Sequence, residues 1–290
     1  MAAALIAIVV VLVLGHAAPQ LAAVRRFGWF DAWQDWLGRN ADDAMRSRFG
    51  ILLSVGIPVA ALAVVQALVD DRVFGFPGFL LAVLVLFWCW GPRDLDLDVE
   101  AVLDAPDRER RAQAARALLG ADAPLSPDGP TLVEAVFRGA LRRWFSVLLW
   151  FLLLGPAGAL LYRLAQLAAQ RGTEAGAPAY AAIALRLRDI LEWPVAQLMA
   201  LSLALAADFD AVLGSWRDWH AAQGRGWFAL DTGFLEAVAR TSVASELVEE
   251  AGDGTLSPLL ELRDAMSLVW RILLLWMTVL AVVVLAGYVN

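Results

Sequence analysis

The chain has 290 residues, 60% of them hydrophobic, and a formal charge of −7. That balance is more apolar than a water-soluble domain buries and points to an integral membrane protein, while the negative charge argues against general nucleic-acid binding. All 23 basic residues are arginine, which removes lysine chemistry, and two histidines (His16, His220) with one cysteine (Cys89) leave neither a His/Cys zinc site nor an internal disulfide.

The N-terminal run from Ala2 to Leu14 has the length of a signal-peptide core, but no basic residue precedes it. Extended to Val24 it becomes a retained first span with its N-terminus outside. Residues 25–48 interleave Arg25, Arg26, Arg39, Arg46 and Arg48 with Trp29, Phe30, Trp33 and Trp36, a pattern suited to a helix lying at the membrane interface. A second span runs over 49–69 with Pro58 inside it. After the turn-rich hinge 70–78, a third span over 79–90 returns antiparallel to it.

Past Gly91-Pro92 the chain turns polar. Asp94, Asp96 and Asp98 alternate with leucine but lack the glycine and terminal glutamate of a calcium loop, so the segment reads as a solvated linker. An amphipathic helix follows over 104–119, then a Pro/Gly loop to residue 130. Residues 131–143 lead into an apolar stretch from Trp144 to Arg163, flanked by Arg142 and Arg143 and long enough to cross a hydrocarbon core of about 30 Å. Gly155, Pro156 and Gly158 interrupt it as a packing motif that neighbouring helices accommodate.

The stretch 180–189 is amphipathic, and Arg186, Arg188, Asp189 and Glu192 cluster before Trp193-Pro194. A fifth span over 190–207 is the weakest of the set. The second polar region, 208–266, begins with Asp208 and Asp210. The last span, 267–289, carries Arg271 one turn in, where it is expected to snorkel to the interface, pairing with an acid being the alternative. Arginine counts place the loops 25–48, 91–143 and 208–266 in the cytoplasm and both termini in the periplasm. The expected fold is all-α: a polytopic helical bundle of about five or six transmembrane helices plus interfacial ones. Residues 1–290 would form a single membrane domain with 92–143 and 208–266 as polar cytoplasmic insertions.

The segment Leu153-Leu-Gly-Pro-Ala-Gly-Ala-Leu-Leu-Tyr-Arg163, followed by Ile190-Leu-Glu-Trp-Pro-Val-Ala-Gln-Leu198 and by Ala206-Ala-Asp-Phe-Asp210 with Trp216, resembles the CobD/CbiB cobalamin-biosynthesis membrane family. These are the adenosylcobinamide-phosphate synthases, and AmpE is a branch of the same family. Where the synthases carry acids before the span, this chain has Arg138, Arg142 and Arg143. Their Asn-Thr and aspartate after it are replaced by Leu164-Ala-Gln-Leu-Ala168, and their later arginine by Gln197.

Resemblance to the AmpE branch implies a multi-pass protein of the bacterial inner membrane, linked to β-lactamase induction and cell-wall fragment sensing. It implies binding of a small anionic or cell-wall-derived ligand, or of a membrane or cytoplasmic signalling partner, without turnover. No catalytic residue, metal ligand or cofactor is expected, and an oligomer is left open. The candidate ligand-binding residues are Arg138, Arg142, Arg163, Arg186, Asp189, Glu192, Asp208 and Asp210. The alternative is a membrane ligase using ATP and Mg2+, with Glu134, Asp189, Glu192, Asp208 and Asp210 as relocated acids. A transporter would carry ionisable residues midway along its spans, where none is expected here.

Overall fold

A computed structural model describes residues 2–17, 25, 27–40, 49–70, 76–91, 94–119, 127–174, 178–224, 229–251 and 257–287. The extension of the first helix to Val24, Arg26, the arginines at 46 and 48, hinge positions 71–75, loop positions 120–126 and positions 252–256 of the second polar region lie outside them. Every regular element among the described residues is helical. In order these are α1 (Ala2–Ala17), α2 (Gly28–Asn40), α3 (Ile57–Asp70), α4 (Phe76–Cys89), α5 (Leu95–Leu103), α6 (Arg108–Leu119) and α7 (Gly129–Ala140). They continue as α8 (Ser146–Leu154), α9 (Pro156–Glu174), α10 (Pro178–Ala206), α11 (Phe209–Gln223), α12 (Gly233–Ala251) and α13 (Pro258–Leu285). Two π turns, Leu52–Gly56 and Leu141–Phe145, precede α3 and α8.

Three helical stretches are long and apolar enough to cross a membrane: Phe49–Val69, Pro178–Ala206 and Pro258–Leu285; α1 and α4 are shorter apolar helices. The first has mean hydropathy 2.3, yet only 11% of it is buried against the protein. Val64, Val65 and Leu68 on that helix are exposed, a surface that water would penalise and lipid accepts.

The chain divides into two compact units, one made of 1–92, 146–191 and 283–290, the other of 93–145 and 192–282. In the first, α9 is the centre. It packs on α3, α4 and α8, and α1 packs on α4. Its buried face is rich in small residues (Ala157, Ala159, Ala165, Ala168, Ala169), which lets neighbouring backbones approach. Pro58, which has no N–H to give the π turn before it, follows Ser54 by one turn. Trp33 Nε1 donates to the Ser54 carbonyl oxygen at 3.2 Å. Trp33, expected in a helix lying at the membrane interface, is thus half-buried, with its indole N–H bonded inside the protein.

The largest correction concerns Trp144–Arg163. It is not one span: α8 ends at Gly155, whose φ of 67° is left-handed, and Pro156 opens α9. A side chain at Gly158 would fall on the Trp150 carbonyl and the Leu154 Cβ. Eight residues span about 12 Å of a straight helix, so the Trp150 carbonyl could not reach Gly158 there. The chain thus reverses at Gly155, and α9 runs back beside α8. Gln66 accepts from the Ala157 N–H at 3.3 Å at this end of α3, while Tyr180 of α10, which packs beside Gly172 near the far end of α9, bonds the Ser54 hydroxyl at 2.9 Å. α9 therefore lies antiparallel to α3.

In the second unit α7 packs between α12 and α6, and α11 pairs with α12. The segment expected to be a solvated linker is instead helix α5, with Leu95, Asp98, Val99 and Val102 buried, and the next helix begins at Arg108 rather than at 104. α10 starts at Pro178, well before 190, which places Glu192 in its interior, wholly buried. An ionisable side chain midway along a candidate span is the feature the sequence reading did not find. Arg271 pairs with Glu246 at 2.8 Å instead of snorkelling alone.

Asp128 caps α7 by accepting from the Thr131 N–H at 3.1 Å. The hydrogen bonds from Thr131 hold its carboxyl below the usual range. A carboxyl lowered by folding stabilises above its unfolded value and loses that contribution as pH falls through the folded one. Asp128→Ala is expected to cost about 1 kcal/mol at neutral pH. Thermal unfolding of the two proteins should converge in acid; a difference that persists unchanged at low pH would show that the anionic cap is not its source.

Candidate functional site

The helical run from α7 through the π turn carries the charged side chains that the sequence singles out. Glu134 and Arg138 are one turn apart on α7, and Glu236 and Arg240 are one turn apart on α12. The helices are antiparallel, so opposite charges meet. Glu134 lies 3.1 Å from Arg240, and Arg138 Nε donates to Glu236 Oε1 at 2.8 Å. The Glu236 hydrogen bond, outweighing partial burial, raises Arg138 further above its ordinary value, so it stays cationic.

The π turn extends this row. Its wider helical turn sends two consecutive arginines to different helices. Arg142 Nε reaches Glu192 of α10 at 3.3 Å, and Arg143 Nη1 reaches Asp98 of α5 at 2.6 Å. Glu192 is 0% and Asp98 2% exposed, so each anion sits out of water beside a guanidinium that is itself partly exposed. Beyond them Trp144 packs edge-on against Trp270 at 5.3 Å, and Trp270 Nε1 donates to Asp96 at 3.0 Å. Arg138, Arg142, Arg143 and Arg240 thus face Glu236, Glu192, Asp98 and Glu134, and the charges of the seam cancel. Such pairs add little net stability but fix register strongly, because removing one partner strands the other.

The remaining candidates do not join this seam. Arg163, 3% exposed and in the other unit, donates through Nε to the Cys89 carbonyl at 2.8 Å and through Nη1 to Gln166 at 2.6 Å. Cys89 closes α4, whose last carbonyls lack helical donors and carry the negative end of the dipole. Arg25 serves the same helix end, donating to the Gly91 carbonyl at 3.3 Å while stacked 4.2 Å over Phe87. Arg186 is exposed, and Asp189 is held by its neighbour Arg188 at 2.8 Å. Asp208 is the N-cap of α11, accepting from the N–H groups of Asp210 and Ala211, and Asp210 is exposed in the first turn. Arg138, Arg142, Arg163, Arg186 and Asp208 are divided between the two units rather than assembled in a basic pocket within one.

Among the described residues no three His, Cys, Asp or Glu side chains gather to hold a metal ion, and the seam carboxylates each face an arginine rather than one another. Compared with known proteins, the chain matches no family model, no curated protein and no solved structure.

Sequence reasoning missed Glu236 and Arg240, read Asp98 as part of a solvated linker, and named Arg143 as a span flank and as one of the arginines standing where the synthases carry acids, not as half of a buried pair. A signal was present: the order acid then base on α7 is matched by acid then base one turn apart on α12, which pairs only if the helices run antiparallel.

Proposed function

We propose that this chain is a multi-pass regulatory protein of the bacterial inner membrane, of the AmpE type, that binds a small ligand or signalling partner without turning it over. The observation that carries the reading is the commitment of the acids. Glu134 and Glu192 are matched to arginines, Asp189 to Arg188, and Asp208 to backbone N–H groups at a helix start. None is presented as a free carboxylate pair that would hold magnesium or take a proton from an attacking group. An anionic ligand reaches Arg138 or Arg142, each still partly exposed, by exchanging for Glu236 or Glu192. Binding then releases a helix contact, which is how a sensor passes on a signal. On this reading the polar segments 92–143 and 208–266 face the cytoplasm, where such a partner would be met.

Deleting the gene should alter β-lactamase induction by cell-wall fragments, and Arg138→Gln in the chromosomal copy should reproduce part of that change. Induction unchanged by the deletion would remove the assignment. Purified full-length protein with ATP, Mg2+ and an amine should show no turnover; turnover abolished by Glu192→Gln would favour the ligase alternative instead.

A further inference from the structure

The corner at Gly155 leaves an open groove of about 350 Å³ in the first unit, lined by Val59, Ala63, Gln66, Ala67, Ala157 and Leu161 among others. Its walls are apolar except for Gln66. That side chain uses its Oε1 to accept from the Ala157 N–H, and its Nε2 has no acceptor among the described residues. Leu154, at the end of α8, also lines it and is exposed, as are Val64 and Leu68 on α3, next in sequence to the lining Ala63 and Ala67. Gln66 stands one turn from the end of α3 at Asp70; on the membrane reading that is near the end of the candidate span Phe49–Val69, where a bilayer changes from hydrocarbon to ester carbonyls.

We propose that this groove is a binding site for one glycerophospholipid, with an acyl chain along Ala63, Ala67 and Leu161 and its ester carbonyl accepting from Gln66 Nε2. The inference rests on the membrane reading above and goes beyond it, because it names a ligand held apart from the charged seam. A methylene chain is recognised by shape and area, and the lone amide donor fixes its depth; an unmet donor in hydrocarbon is costly, so a carbonyl there is favoured over a bare chain. A second copy of the chain is the rival occupant, but its apolar side chains would offer no acceptor at that depth.

The test uses the delipidated full-length protein in detergent, titrated with diester phosphatidylglycerol and, separately, with its diether analogue, and read by native mass spectrometry. One diester lipid should be retained, and the diether form about fivefold more weakly, the worth of one hydrogen bond. Ala63→Trp, at an exposed position where bulk fills the groove without entering the core, should abolish retention, and Gln66→Leu should make diester and diether equal. Equal binding of the two lipids by the unaltered protein overturns ester recognition. Retention undiminished in a folded Ala63→Trp protein overturns the site, as does a dimer that this substitution breaks while lipid stays bound. Failure of the protein to sediment with carbonate-washed membranes would instead defeat the membrane reading itself.

Discussion

Arg143→Met is expected to destabilise the protein by about 3 kcal/mol, the cost of removing a guanidinium paired with a buried carboxylate. Asp98 is 2% exposed and accepts from Arg143 at 2.6 Å, so the substitution takes away its guanidinium while leaving Asp98 in place. The double variant Asp98→Leu/Arg143→Met should recover most of the loss, because two apolar groups of similar volume need no compensation. Thermal unfolding of the four proteins of this cycle in one detergent measures the coupling. A double variant no more stable than Arg143→Met alone would mean that the Asp98 charge is not what makes the position costly. Glu134–Arg240, with Arg240 half exposed, serves as the contrast: its loss is expected to cost under about 1 kcal/mol.

The two pairs differ in burial and not in chemistry, which explains how far the sequence could be read. Phe49–Val69 is legible as a candidate span because a long, charge-free and mostly apolar run carries its own evidence of environment. The early start of α10 was less so, since Arg186, Arg188 and Asp189 suggest a boundary, whereas the helix continues through them and buries Glu192. Helical periodicity reports which residues share a face but not which helix that face meets. For that reason Arg138 and Arg142 could be picked out as notable while Glu236 and Asp98, on distant stretches of chain, could not. Arg163 shows the converse: a conspicuous arginine beside an apolar run suggested a ligand, and its acceptors are a helix-end carbonyl and Gln166. The tight turn was hidden for a further reason. Gly-Pro-Ala-Gly in an apolar run fits a straight packed span as well as a reversal, and only φ at Gly155 separates them.

Gly158→Ala is expected to be the most damaging small substitution in the chain. The added Cβ meets the Trp150 carbonyl oxygen, which is backbone in the middle of α8 and has no rotamer through which to withdraw, and then the Leu154 Cβ. Relief requires α8 and α9 to part at their crossing, so the cost should reach the upper part of the overpacking range, about 3 kcal/mol, or prevent accumulation of the folded protein. Gly155→Ala should cost less, about 1 kcal/mol for its left-handed backbone, with the flexible Gln66 side chain able to move aside. Gly214→Ala provides the opposite sign: Gly214 lies within α11 with nothing near its missing Cβ, so alanine there should stabilise by about 0.5–1 kcal/mol through helix propensity. Thermal unfolding of the three variants in one detergent would rank them. If Gly158→Ala behaves like Gly214→Ala, then α8 and α9 do not touch at Trp150, the reversal is wrong, and Trp144–Arg163 crosses as the single span its composition first suggests.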